Sequence, residues 1–212
     1  MKHLPNPTKR RLVQLASLLS QQTERKITSK TIQMMTGWSD SLIRRDILLL
    51  GFKGGVSNGY FVEELYEAIC SELNLKKNDS SKKNCCIVGL GRLGAALLEN
   101  SLFEGSPFAV VAGFDSNVNR TEILRSTFPL FPASKMENVI KEKNIEFALL
   151  AVAEKEAQKM ADRLVECGIK GIANYTNTIL AVPKEIALEN VSPVTALANL
   201  AAAGGDFYGG LI

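Results

Sequence analysis

Residues 85–98 carry the most restrictive pattern in the chain. Cys85-Cys86-Ile87-Val88 is a short apolar run of the kind a buried parallel strand requires. It leads straight into Gly89-Leu90-Gly91-Arg92-Leu93-Gly94, and a helical run, Ala95-Ala96-Leu97-Leu98, follows. A G-x-G-x-x-G triplet is weak evidence alone, but between a strand and a helix it has the context that dinucleotide binding demands. Gly89 permits the tight turn and Gly91 lets the backbone approach a pyrophosphate. Gly94 lets helix and strand pack, and the helix N-terminus faces the negative charge. Leu90, Arg92 and Leu93 complete this cofactor loop. A second strand, Phe108 to Phe114, ends in Asp115, 26 positions after Gly89. A carboxylate there accepts both ribose hydroxyl protons and repels a 2′-phosphate, which favours NAD(H) over NADP(H). Arg120 close by slightly weakens that preference. The bland alternative is a structural glycine turn.

The strand–helix alternation continues. Met136 to Lys143 reads as a helix, Phe147 to Val152 as a buried strand, and Ala157, Met160, Ala161, Leu164 and Val165 as a helical stripe. Gly171 to Asn174 and Ile186 to Val191 read as two more strands. This order predicts a Rossmann-type doubly wound parallel sheet whose ligand lies beyond the carboxyl ends of the strands. Ala151, Val152, Ala153, Asn174 and Tyr175 fall at such ends and are further cofactor candidates. Residues 192–203, rich in Leu and Ala, suit a last helix that packs on its own domain or on a partner chain.

The chain changes character before this half. A polar, basic stretch from Leu75 to Asn84 lacks hydrophobic periodicity and reads as a linker. The domain reading is therefore residues 1–77, a linker over 78–84, the sheet domain over 85–191 and a C-terminal helix and tail over 192–212. A formal net charge of +3 conceals an asymmetry. Residues 1–60 carry ten basic against three acidic side chains, a surplus of seven, whereas the remainder carries 15 against 19. Such a split points to a polyanionic partner for the first half, the rival being a merely solvated basic face.

Helical periodicity in that half supports a nucleic-acid reading. Leu12, Leu15, Ala16, Leu18 and Leu19 mark a first amphipathic helix over residues 8–21. Thr28 or Ser29 caps a short second helix through Met35, and Gly37 supplies a tight turn. Ser39 or Ser41 opens a third helix, which Gly51 ends. Two short helices about a glycine, the second carrying Arg44 and Arg45, fit a helix-turn-helix. The glycine-rich stretch Phe52 to Tyr60 suits a wing, and Val62, Leu65, Tyr66, Ile69 and Leu73 form a closing helix. Arg44 and Arg45 are placed to meet guanine edges or phosphates of double-stranded DNA. Lys9, Arg10 and Arg11 are expected to contact the backbone, with Ser41, Lys53 and Tyr60 completing the DNA-facing set. Asp46 is read as a structural carboxylate that orients an arginine.

Several classes drop out. No apolar run reaches 18 residues, which argues against a membrane span, and the polar N-terminus lacks a secretory pattern. A cytoplasmic protein is expected. Its four cysteines, Cys70, Cys85, Cys86 and Cys167, show no metal-ligand spacing and read as reduced, small core hydrophobes. The single histidine, His3, stands near the end of the chain, so imidazole catalysis has no candidate in its body. Neither a catalytic residue nor a metal site is assigned.

Taken together, these residues resemble the Rex family of redox-sensing bacterial repressors. The similarity rests on Arg44-Arg45-Asp46, Gly51, Gly54, Gly59-Tyr60 and Val62-Glu63-Glu64-Leu65. It continues through Val88 to Gly94, Phe114-Asp115, Ala157-Gln158, Ala161 to Glu166, Gly168 to Asn174 and Val182-Pro183, and so spans most of residues 8–200. The resemblance implies a homodimer that exchanges its C-terminal helix. It also implies operator DNA held in the presence of NAD⁺ and released when NADH closes the dimer, with no reaction catalysed.

Some positions depart from the family pattern. Gly55 and Val56 stand where the family's wing carries a basic pair, and Leu48-Leu49-Leu50 where it carries Ser-Tyr-Phe. The polar network linking nicotinamide state to closure aligns with Ser17, Asn100 and Ser192, the last followed by Pro193. Fold and dinucleotide site therefore carry over better than the switch. A ligand- or CoA-binding relative without DNA binding, a DNA-binding regulator indifferent to redox state, and an NAD-dependent oxidoreductase stand as the alternatives.

Overall fold

In the computed structural model, residues 4–56, 59–75 and 82–202 are described, and they form two compact units divided at residues 76 and 77. The first unit is built from four helices and a small sheet. Helix α1 (Asn6–Leu19) starts beside Pro5 and buries Thr8, Leu12, Leu15, Ala16 and Leu19 on one face. Strand β1 (Lys26–Ile27) precedes α2 (Ser29–Thr36), whose first turn is capped by the Thr28 hydroxyl accepting from the Thr31 N–H at 3.1 Å. Gly37 ends α2 in the left-handed conformation, at a φ of +72°, which turns the chain into the next helix. Helix α3 (Asp40–Leu50) is capped by Ser39 and turns Ile43, Asp46 and Ile47 inward.

Strands β2 (Gly55–Val56) and β3 (Gly59–Phe61) make the wing, and β3 lies between β2 and β1, antiparallel to both. Helix α4 (Val62–Glu72) closes the core with Val62, Leu65, Ile69 and Cys70. Strand β1 is not legible in the sequence. Two residues bounded by polar neighbours carry no periodicity, and they become a strand only by pairing Lys26 with Phe61 and Ile27 with Tyr60.

One polar tie crosses this apolar core. Asp46 is 4% exposed, and its carboxylate accepts from the Thr8 hydroxyl at 2.9 Å and from Arg11 Nε and Nη2 at 2.6 and 2.9 Å. The arginine that Asp46 orients is thus Arg11 of α1, not Arg44 or Arg45. Arg11 was expected to contact a DNA backbone. Instead its guanidinium lies mostly inside the unit, joining α1 to α3, and hydrogen bonding to Asp46 raises its pKa.

In the second unit six strands form one fully parallel sheet. They are β4 (Lys83–Val88), β5 (Phe108–Asp115), β6 (Leu130–Pro132), β7 (Phe147–Leu150), β8 (Gly171–Asn174) and β9 (Ala187–Asn190). Their order is β6-β5-β4-β7-β8-β9, so the sheet grows outward in both directions from β4. Helices α5 (Arg92–Ala96), α6 (Val118–Ile123), α7 (Met136–Glu142) and α8 (Glu154–Glu166) connect them, and α9 (Pro193–Ala202) follows. Alternation along β4 sends Cys86 and Val88 to one core with Met136, Ile140 and Leu164. It sends Cys85 and Ile87 to a second core with Leu98, Val110 and Phe128. Burial pushes the Cys85 thiol up to about 12 and the Cys86 thiol higher still, so both are packing groups.

The start of β4 and the presence of β6 differ from expectation. Strand β4 begins at Lys83, inside the stretch read as linker. The Lys83 N–H donates to the Pro107 carbonyl, the Asn84 amide donates to the Lys143 carbonyl at 2.6 Å, and Lys83 Nζ lies over the Phe147 ring. Polar residues satisfied this way leave no hydrophobic signal. Strand β6 was not anticipated, because three residues ending in Pro132 are legible only as an edge beside β5.

Asp46 sets the first prediction. Asp46→Ala should lower stability by about 3 kcal/mol, because it strands Arg11 and Thr8 beside an apolar core. The measurement is urea unfolding followed by the fluorescence of Trp38, the chain's single tryptophan, which packs on this core. Asp46→Asn, which still accepts one hydrogen bond, should lose less.

Candidate functional site

The glycine loop leaves β4 at the centre of the sheet. Gly89 has a φ of +91°, and a Cβ there would stand 2.6 Å from the Ala151 carbonyl oxygen and 2.8 Å from Val152 Cγ1. A Cβ on Gly94 would collide with the Gly89 carbonyl oxygen. These two glycines therefore bring three backbone segments, the loop, α5 and the end of β7, into direct contact. Gly91 is different: a Cβ there would meet nothing within 4 Å. The loop is closed on its inner side and open at its crest.

Asp115 does a job that the sequence reading did not assign to it. It is buried, and its Oδ2 accepts from the Leu90 N–H at 2.7 Å while its Oδ1 accepts from the Asn117 N–H at 2.7 Å. Arg120 Nη1 donates to Oδ2 at 3.3 Å from a half-exposed position. The carboxylate thereby ties the loop after β4 to the turn after β5. Asn117, whose side chain also caps α6, was missed by sequence reasoning. A short polar residue two positions after a strand-ending aspartate, with a helix following, is the available signal.

The other candidates divide clearly. Leu90 is buried beneath the loop, whereas Arg92 and Leu93 are exposed on α5. Val152 is half-buried against Gly89, and Ala153 is exposed at the start of α8. Asn174, expected to face a cofactor, is fully buried. Its amide donates to the Thr178 carbonyl and to Asn190 Oδ1, each at 2.9 Å, and its Oδ1 accepts from the Thr176 N–H and hydroxyl. With all four hydrogen-bonding positions engaged it builds the turn after β8 and is not left to meet a ligand. Tyr175 beside it is half-buried, its N–H donating to the Leu150 carbonyl. Among the described residues, no group of three or more His, Cys, Asp or Glu side chains is placed to hold a metal ion.

In the first unit, α3 presents Ser41, Arg44, Arg45 and Leu48 to solvent along one face. Arg44 Nε pairs with Asp40 Oδ2 at 2.9 Å one turn earlier. Lys9, Arg10 and Lys53 are exposed on α1 and ahead of the wing. Tyr60 is half-buried; burial raises its phenol pKa, opposed by the positive charge of Arg44, so the hydroxyl stays neutral. An exposed helix face with two arginines, a capped turn before it and a hairpin after it is the arrangement that a winged helix-turn-helix presents to DNA.

Comparison with known proteins places these features in one lineage. The family model described as a CoA binding domain matches residues 80–178. The redox-sensing transcriptional repressor Rex of Ligilactobacillus salivarius is 32% identical over 191 residues, 89% of this chain and 88% of that protein. The protein of the same name from Limosilactobacillus reuteri is 30% identical over 202 residues, 94% of this chain and 92% of that one. Among solved structures, RSP, a Rex-family repressor, superposes with a TM-score of 0.81 at 29% identity, covering 96% of this chain and 95% of its own. RSP in complex with NAD⁺ and operator DNA gives the same TM-score at 28% identity, covering 96% and 93%. RSP has also been solved with NADH. Matched in sequence and in fold over nearly its whole length, the chain belongs to the Rex family.

Proposed function

We propose that this protein is an NAD(H)-binding transcriptional repressor that holds operator DNA through its winged helix and works without catalysing a reaction. The observation that carries the nucleotide half is the contrast between Gly91, open at the crest of the loop, and Gly89 and Gly94, closed on its inner side. A backbone crest without a side chain, at the carboxyl edge of a parallel sheet, suits a pyrophosphate. Asp115 already braces the loop, so Oδ1 is the oxygen with acceptor capacity left for a ribose hydroxyl. Arg120 offsets part of its charge and softens the rejection of a 2′-phosphate. Arg44 and Arg45, Ser41, Lys9, Arg10, Lys53 and Tyr60 form the DNA-facing set. Relatives bearing the Rex name, and RSP with NAD⁺ and operator DNA, support both halves.

A homodimer is part of this reading. Every residue of α9 is exposed in the single chain, including Val194, Leu197 and Leu200 at three-residue spacing. One face of the sheet also carries an apolar hollow of about 300 Å³ lined by Phe103, Phe108, Phe147 and Leu188. Two such surfaces on one chain suit burial against a second copy. Of the positions aligned with the family's switch network, Ser17 is an exposed residue of α1, and the Ser192 hydroxyl accepts from the Thr195 N–H at the start of α9. Neither supplies charge to a coupling network. Binding to operator DNA with NADH, NAD⁺ or neither measures the coupling directly. Equal affinity in all three conditions would make the protein a regulator that does not sense redox state.

Two glycine variants test the cradle. Gly91→Ala should leave the unfolding midpoint unchanged and weaken NADH binding at least tenfold, measured by calorimetric titration. Gly94→Ala should lower stability sharply, since a backbone carbonyl has to move. Equal NADH affinity in Gly91→Ala and the parent would remove the pyrophosphate from this loop. For the DNA half, Arg44→Ala/Arg45→Ala should abolish operator binding in fluorescence anisotropy while leaving NADH titrations unaltered. The parent's DNA affinity should also fall steeply between 50 and 200 mM salt, as expected for displaced counterions, by roughly a factor of ten or more.

A further inference from the structure

Leu48 is an anomaly within α3. The helix turns Ile43, Asp46 and Ile47 inward and half-buries Leu42, Leu49 and Leu50, as an amphipathic helix should. Leu48 instead stands 73% exposed. It follows Arg45 by three residues and Arg44 by four, and Ser41 by seven, so all four side chains share one stripe of the helix surface. Val13 of α1 and Met34 and Met35 of α2 are also exposed, but Leu48 is the large apolar side chain on the arginine stripe among the described residues. Its surroundings argue against an apolar protein partner. The stripe is flanked by two guanidinium groups within a segment of strong basic surplus, which a hydrophobic interface would have to desolvate.

We propose that Leu48 is a specificity-determining residue that reads the C5-methyl group of a thymine in the major groove. This rests on the DNA-binding reading and adds a base preference to it. A leucine can neither donate nor accept a hydrogen bond, and the thymine methyl is the apolar feature that the major groove offers. A rise of 1.5 Å per residue places Leu48 about 4.5–6 Å along the helix from the two arginines, one to two base steps beyond the pairs they reach. Arg44 and Arg45 thus select or hold the site by charge and hydrogen bonding, and Leu48 adds a methyl-dependent preference beside them.

The test uses the full-length protein and an operator obtained by selection from random duplex oligonucleotides. Each thymine is replaced in turn by deoxyuridine, which removes only the methyl group, and Kd is measured for the parent and for Leu48→Ala. Burying one methyl group corresponds to about a fourfold change in affinity. One deoxyuridine position should therefore weaken the parent by about that factor and leave Leu48→Ala unaffected, while Arg45→Ala keeps the methyl sensitivity. Leu48→Ala should retain the parent's Trp38 unfolding curve, since the residue is exposed. A deoxyuridine scan that is identical for parent and Leu48→Ala would overturn the assignment while leaving DNA binding intact. So would a change of oligomeric state in Leu48→Ala with unaltered methyl sensitivity. Failure to enrich any duplex would overturn the DNA-binding reading and this inference together.

Discussion

The parallel-sheet unit depends on a contact that no side chain makes. Where β4 ends, the backbone at Gly89 lies against the carbonyl of Ala151, and the backbone at Gly94 lies against the carbonyl of Gly89. Any Cβ at either place forces these segments apart. Their closeness seats α5 on the sheet and leaves Gly91 at an open crest. The central position of β4, with β5 on one side and β7 on the other, follows the same logic, because both neighbours contribute to the loop's support. From β5 comes Asp115, which holds the Leu90 N–H, and from the end of β7 come Ala151 and Val152.

A second buried carboxylate plays the matching part in the winged-helix unit. Asp46 ties α1 to α3 through Thr8 and Arg11, as Asp115 ties the loop after β4 to the turn after β5. In both cases a carboxylate is taken out of water and accepts three hydrogen bonds, at least one of them from an arginine. Such sites resist alternative packings, since each alternative strands a charge. That is why one arginine of the basic N-terminal run is half-buried against Asp46 while its neighbours face outward. Residue type alone does not separate Arg11 from Lys9 and Arg10; their angular positions on α1 do.

How much was legible in the sequence follows the physical range of each interaction. Helices α1 to α4 and the strands flanking the glycine motif come from apolar spacing and local caps, which neighbouring residues decide. Thr28, Ser39 and Gly51 act at the helix ends as their chemistry suggests. Strands β1 and β6 were not legible, because two- and three-residue strands exist only through their partners. Asn174 reads as a ligand-facing polar residue at a strand end. Its burial among Thr176, Thr178 and Asn190 depends on β9 arriving beside β8.

Local pattern along the chain was enough to give the winged helix, the parallel sheet and the position of the glycine loop. Each of these follows from periodicity, glycine spacing and charge distribution along short stretches. The tertiary structure decided which polar groups are left to meet a ligand. Packing paired Arg11 with Asp46, buried Asn174 and turned Asp115 into a brace. Each of these outcomes includes a hydrogen bond between residues 16 to 35 apart in the chain, Asn174 to Asn190, Leu90 to Asp115 and Arg11 to Asp46, which meet only when the elements pack. Hydrogen-bond satisfaction in a low-dielectric interior is a three-dimensional constraint, and a linear pattern of residue types does not contain it.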